Sequence, residues 1–199
     1  MLMKKLHFGC FDQVHEGWIN TDITPHIWIA KIPFLPEILH KLGYMSDQRL
    51  EQHKQGIFKC VQRLDLTRRF PYSSGEFSAA FSSHVIEHLY HHQAVFTLRE
   101  VHRILMPGGI LRLSVPDLDR CVAAYDSANP DEFCSAVFES KHFREKNQHH
   151  WMYNETSMGK LLEDVGFRKV YRCKYREGKS PDVEKIDNRP ESLFMEAVK

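Results

Sequence analysis

The spacing of apolar and polar positions changes period several times along this chain, and each change marks an element. Residues 4–9 alternate around Leu6 and Phe8 and end on glycine, which predicts a first strand. Residues 18–23 predict a second, closing on Asp22. About ten residues separate the two, too few for a crossover helix with its loops, so either the connection is a compact turn or the strands pair differently. Residues 34–54 read as a broken helix, with Pro36 suited to a first turn and Gly43 interrupting the pattern. A third strand is expected over 58–66, ending near Asp65. Pro71, Ser73, Ser74 and Gly75 then predict a turn before a fourth strand at 77–83.

The clearest helix is expected over 94–106. Val95, Leu98, Val101, His102 and Leu105 fall at helical spacing, and Pro107-Gly108-Gly109 stops it. A strand reading I-L-R-L-S-V follows over 110–115, and Pro116-Asp117 opens a loop. Further helices are expected over 118–127, 130–144 and 156–165. Two strands, 168–175 and 192–198, close the chain around a polar loop holding Pro181 and Pro190. Strands alternating with helices and finishing in a hairpin predict a single α/β sandwich domain over 1–199 with a mostly parallel sheet.

Composition narrows the function classes. Lys+Arg 27 against Asp+Glu 26 leaves no net field to recruit nucleic acid or an anionic membrane. Arg68, Arg69, Lys174 and Arg176 form no basic stripe interleaved with aromatic residues, so nucleic acid is unsupported as a partner. The longest apolar run, residues 27–30, is far short of the ~20 residues of a membrane span. The five cysteines are odd in number and widely spaced without a C-x-x-C, which argues for reduced thiols and a cytoplasmic chain.

In such sheets ligands bind beyond the carboxyl ends of the strands, so the strand-end residues carry the candidate chemistry. Gly9, lacking a Cβ, allows backbone to approach a ligand closely. Asp22 can accept hydrogen bonds from both hydroxyls of a ribose, and Asp65 can accept from an exocyclic amine. Taken singly, each is more simply read as an ordinary turn residue, but a glycine followed by two strand-end aspartates in this order points to a ligand site.

The runs K-L-H-F-G-C-F-D (5–12) and G-W-I-N-T-D-I (17–23) resemble the opening of class I S-adenosylmethionine-dependent methyltransferases. The nearest resemblance is to a compact subgroup often linked to cell-surface glycan synthesis. It continues through D-L-T-R-R-F-P-Y and F-S-A-A-F-S-S-H-V-I-E-H-L (within 65–89) and L-R-E-V-H-R-I-L-M-P-G-G-I-L-R-L-S-V-P-D (98–117), and resumes within 149–167 and 188–197. It implies a Rossmann-like three-layer sandwich whose seven-stranded sheet is mostly parallel with an antiparallel hairpin at the C-terminus. It also implies S-adenosylmethionine as cofactor. Gly9, Cys10 and Phe11 would border the methionine part, Asp22 the ribose, Asp65 and Leu66 the adenine, and Ser83 and His84 the methyl group. The family's loop usually reads G-C-G or G-S-G. Phe11 stands at the second glycine, where its ring would either stack on the cofactor or fill its place.

Methyl transfer to an alcohol or amine often needs a base. His88 is the candidate, with Glu87 in support, and His149, His150, Trp151 and Tyr153 are candidates to line the pocket of a small-molecule or glycan acceptor. Solvated residues at a helix start, and an amphipathic lid, are the plainer readings of the same two groups. Two other functions are open. Phe11 allows a catalytically inactive binding or scaffold protein of methyltransferase shape. His84-x-x-Glu87-His88 also matches H-x-x-E-H, the inverted zinc-peptidase motif, with Glu100 or Glu139 as third ligand, provided His84 lies inside a helix.

Overall fold

Strand β1 (Lys4–Phe8) lies parallel to β2 (Ile19–Asp22), with Leu6 opposite Ile19 and Phe8 opposite Thr21. The computed structural model describes residues 3–138 and 148–199, and the chain clusters into two units, 1–65 and 66–199. In the first unit the short connection between the parallel strands holds no helix. The side chain of Asn20 takes its place: its amide donates to the carbonyls of His15 and Trp18 at 3.0 Å, and its oxygen accepts from the His15 N–H at 2.9 Å. That loop is therefore the compact turn the spacing allows.

A one-turn helix with no sequence signature, α1 (His26–Ile29), follows β2. The broken helix resolves into α2 (Leu35–Lys41) and α3 (Asp47–Lys54), parted near Gly43 at φ 78° and restarted by Ser46, whose side chain accepts from the Arg49 N–H. The third strand is shorter than expected. Residues 57–59 form a single 3₁₀ turn, and only β3 (Val61–Arg63) pairs with β2. Phe58 is fully buried, but among the rings of His26 and His53 rather than along a strand.

In the second unit β4 (Phe77–Ser83) spans the predicted residues. Helix α4 (His91–Ile104) begins earlier than its apolar stripe, because Gln93 accepts from the Tyr90 N–H ahead of it, and buries Ala94, Leu98, Val101 and Ile104. Its end is a correction. Strand β5 (Leu105–Val115) starts at once, so Pro107-Gly108-Gly109 is a bulge within a strand rather than a helix stop. Leu105 pairs with Phe77 and Ile110 with Ala79, leaving extra residues looped out of β5. A Cβ on Gly109 would sit 2.9 Å from the Met106 carbonyl oxygen, so only glycine fits there.

Helix α5 (Leu118–Ala123) is capped by Asp117, and α6 (Pro130–Phe138) is the described part of the helix expected over 130–144. The rest of that expectation, with Glu139, lies outside the described residues. Helix α7 (Glu155–Asp164) is capped by Asn154, whose oxygen accepts from the Ser157 N–H at 2.9 Å, and it buries Met158, Leu161 and Leu162. Strand β6 (Arg168–Cys173), the short α8 (Val183–Ile186) and β7 (Leu193–Val198) complete the chain. Strand β7 is antiparallel to both β5 and β6, the expected hairpin.

The strand order is β3-β2-β1-β4-β5-β7-β6. This is the α/β class expected: a seven-stranded, mostly parallel sheet with antiparallel strands at its C-terminal end.

Candidate active site

In the first unit the chain turns sharply after β1. Gly9 and Cys10 both donate to the Thr21 carbonyl, at 2.8 and 3.0 Å, and the Phe11 N–H donates to Oδ2 of Asp22 at 2.9 Å. The other Asp22 oxygen accepts from the Thr24 N–H at 2.7 Å, and the carboxylate is half-buried. Phe11 has φ 47°, the left-handed conformation that glycine ordinarily supplies, so the loop keeps a glycine's backbone while carrying a benzyl group. The ring is not loose. Arg49 lies over its face at 4.4 Å from the centroid, and Phe58 and His26 meet it edge-on. Arg49 is held in turn by Asp12 at 3.0 Å, and Gln52 donates to the same carboxylate oxygen.

The side chain of Cys10 packs into a cluster with Ile27 and Val61, and burial pushes its thiol up. Asp65 and Leu66 are half-buried, and the Leu66 carbonyl accepts from Thr97 Oγ1 at 2.8 Å.

In the second unit Ser83 ends β4, with Oγ 3.4 Å from Asn188 Oδ1. His84 follows at φ 55°, on the turn and outside any helix, its Nε2 2.8 Å from Ser192 Oγ. A single 3₁₀ turn over 86–88 comes next. Histidines four apart share a face only on a continuous α-helix, so His84-x-x-Glu87-His88 lacks the peptidase geometry. Glu100 is likewise committed elsewhere, to Arg103 and the Phe70 N–H.

Glu87 is fully buried, with neither carboxylate oxygen hydrogen-bonded. His84 Nδ1 stands 3.3 Å from Oε1. The backbone carbonyl of Glu87 accepts from the N–H groups of His150 and Trp151, which clamps residues 149–151 against it. Donor atoms of Glu87, His88 and His149 consequently lie within 4.8 Å of one another. The Nδ1–H of His88 donates to the Gln148 carbonyl at 3.2 Å and that of His149 to the Val137 carbonyl at 3.0 Å. Tyr153 is buried with its hydroxyl unpaired, and burial, then the Glu87 charge, push its phenol up. His150 departs from the group: it is exposed and stacks on Tyr90 at 4.2 Å. The structure thus brings His149 to Glu87 and His88, sets Tyr153 within the field of Glu87, and turns His150 outward.

The Arg49–Asp12 pair and the His26–His53 contact, 2.9 Å between ring nitrogens, carried no sequence signal, since their partners sit 37 and 27 positions apart. A buried triad was equally invisible: Arg112 donates to Asp187 through Nε and Nη2, at 2.8 and 2.5 Å, and to Glu196 through Nη1 at 2.9 Å. Among the described residues no helix is long and apolar enough to cross a membrane.

A family model described as a methyltransferase domain matches residues 26–172. A search of curated proteins finds no match. Among solved structures, a SAM-dependent methyltransferase from Archaeoglobus fulgidus is similar with a TM-score of 0.57 at 12% identity, over 99% of this chain and 86% of that one. A SAM-dependent methyltransferase from Thermotoga maritima, described as a possible histamine N-methyltransferase, is similar with a TM-score of 0.52 at 14% identity, over 98% and 82%. PigF with SAH gives 0.53 at 12% identity, over 99% of this chain and 50% of that one.

Proposed function

The chain belongs to the methyltransferase-domain family, and from that premise we propose that it transfers a methyl group from S-adenosylmethionine to a hydroxyl or amine of a small molecule or glycan. The observation that carries this reading is the left-handed loop after β1, tied at Phe11 to a half-buried carboxylate at the end of β2. Each Asp22 oxygen accepts one N–H, and a carboxylate offers about four acceptor positions, so ribose hydroxyls can still be bound. The N–H groups of Gly9 and Cys10 are already spent on Thr21, so the loop would meet the methionine part through its Cα surface and the Phe11 ring. On these grounds the residues fit the cofactor. Asp65 and Leu66 would flank the adenine, and Ser83 and His84 the methyl group. When bound, S-adenosylmethionine supplies an electrophilic methyl on a sulfonium, open to in-line displacement.

For the acceptor, His88 is the base. A carbonyl oxygen can only accept, so the Nδ1–H of His88 on Gln148 leaves the lone pair of the neutral ring on Nε2. Glu87, His149 and Tyr153 supply the polar wall behind it. Tyr90, His150 and Trp151 are exposed rings with flat faces against which a sugar or an aromatic acceptor can pack, which supports a glycan among the acceptors. A cytoplasmic location goes with the free state of all five cysteines.

Calorimetric titration of the purified protein with S-adenosylmethionine and S-adenosylhomocysteine tests the reading. Saturable micromolar binding is expected. Asp22→Asn should weaken it by tenfold or more, because hydrogen bonds to a charged group are worth about 1.5–3 kcal/mol. Unchanged affinity in that variant removes the ribose assignment. No binding of either compound by the folded protein leaves a binding protein of methyltransferase shape.

A further inference from the structure

We propose that Glu87, His88 and His149 form a binding site for a divalent first-row metal ion of the zinc class. Three features of the second unit carry this. The Glu87 carboxylate is fully buried, and neither oxygen receives a hydrogen bond, although a buried carboxylate requires a cation or a donor to offset its lost hydration. His84 approaches Oε1 at 3.3 Å without hydrogen-bond geometry, and its other nitrogen is engaged with Ser192, so it addresses one oxygen at most. Both remaining histidines direct Nδ1–H at a main-chain carbonyl, Gln148 for His88 and Val137 for His149. That outer hydrogen bond is the one metal-bound imidazoles habitually make, and it puts the lone pair of each neutral ring on Nε2.

The three donors lie within 4.8 Å of one another. Ligands around a tetrahedral zinc with bonds near 2.1 Å stand about 3.4 Å apart, so an ion would draw them in by roughly 1.4 Å at most. Small rotations of His88, half-buried on a single 3₁₀ turn, and of His149, whose ring centroid lies 4.9 Å from that of His88, close that distance. Two imidazoles and one carboxylate form the ligand set of metal sites that keep a coordination position open for water or substrate. This set is not that of the peptidase motif: His149 stands in place of His84, and the glutamate is a ligand. A metal-bound His88 has no lone pair to act as a base, so a resident ion would take over activation of the acceptor.

The test is titration of the chelator-treated, dialysed full chain with Zn²⁺ by calorimetry and with Co²⁺ by visible absorption. The expected result is one ion per chain, with a Co²⁺ spectrum of a low-coordinate nitrogen and oxygen site. Glu87→Gln and His149→Ala should each lower affinity about tenfold or more, with His84→Ala leaving it nearly unchanged. His88→Ala, at a half-buried position, carries the test if the buried variants fail to fold. Absence of saturable binding by the folded wild type, or wild-type affinity in the His88 and His149 variants, overturns the proposal. No cofactor enters the experiment, so its failure leaves the methyl-transfer reading to its own test.

Discussion

The N–H of Phe11 donates to the Asp22 carboxylate at 2.9 Å, and the same carboxylate takes the Thr24 N–H at 2.7 Å. One side chain thus ties the loop after β1 to the turn after β2, and the ring of Phe11 is packed against Arg49, Phe58 and His26. The aromatic residue has been built into the local packing of a loop whose backbone still has the glycine conformation.

That combination inverts the usual order of glycine and alanine. In a helix or strand glycine is the more destabilising, but at φ 47° a Cβ costs about 1–2 kcal/mol. Phe11→Ala loses the ring contacts and keeps the strain, whereas Phe11→Gly loses the contacts and relieves it. Urea unfolding should find the glycine variant more stable than the alanine variant by about 1 kcal/mol. The reverse order would show that the loop relaxes out of the left-handed region.

Stability should fall on mild acidification. Burial, followed by the nearby charge of His15, lowers the pKa of His7 from 6.5 to about 3, and burial with Arg49 takes His26 to about 4. Between those values and 6.5 the unfolded chain binds protons that the folded chain does not. The stabilising contribution is therefore complete above pH 6.5 and lost as the pH falls. Each such histidine contributes a slope of about 1.4 kcal/mol per pH unit. Denaturant midpoints at pH 7.5, 6 and 5 should decline in step, with a shallower decline in His7→Gln. Midpoints that do not move across this range would contradict the buried neutral histidine.

The triad of Arg112 on β5, Glu196 on β7 and Asp187 just after α8 should be costly to break. Arg112→Met strands the buried carboxylates of both Asp187 and Glu196, whereas Asp187→Asn removes one charge and leaves Arg112 paired with Glu196. Losing one partner of a buried pair costs about 3–5 kcal/mol, so Arg112→Met should be the worse of the two. These carboxylates also accept N–H groups from Arg176, Lys179 and Ser180, so replacing all three charged residues by apolar ones should not restore stability. Thermal melts of the two single variants and the apolar triple variant decide it. A triple variant as stable as wild type would mean the triad contributes nothing to holding residues 176–180.

Much of the fold is legible in the chain because its elements are built from local patterns. The apolar stripe of α4 and the caps at Ser46 and Asn154 act within a few residues of themselves. The misreadings have a shared cause. Phe58 and Leu105 are apolar residues whose neighbours in space, rather than in sequence, decide whether the backbone turns or extends. Phe58 is claimed by His26 and His53, and Leu105 by its pairing with Phe77.

By itself the sequence determined the α/β class, the parallel strands with their closing hairpin, and the presence of acidic and imidazole groups just past strand ends. Periodicity, capping and chain length depend on near neighbours, and the sequence order contains those. Only the tertiary structure decided that Asp22 spends bonds on Phe11 and Thr24, that Cys10 turns inward, and that His149 joins Glu87 and His88 while His150 leaves them. Each of these outcomes depends on which distant backbone groups claim the available hydrogen bonds and which side chains lose their water, and both follow from how the folded chain packs.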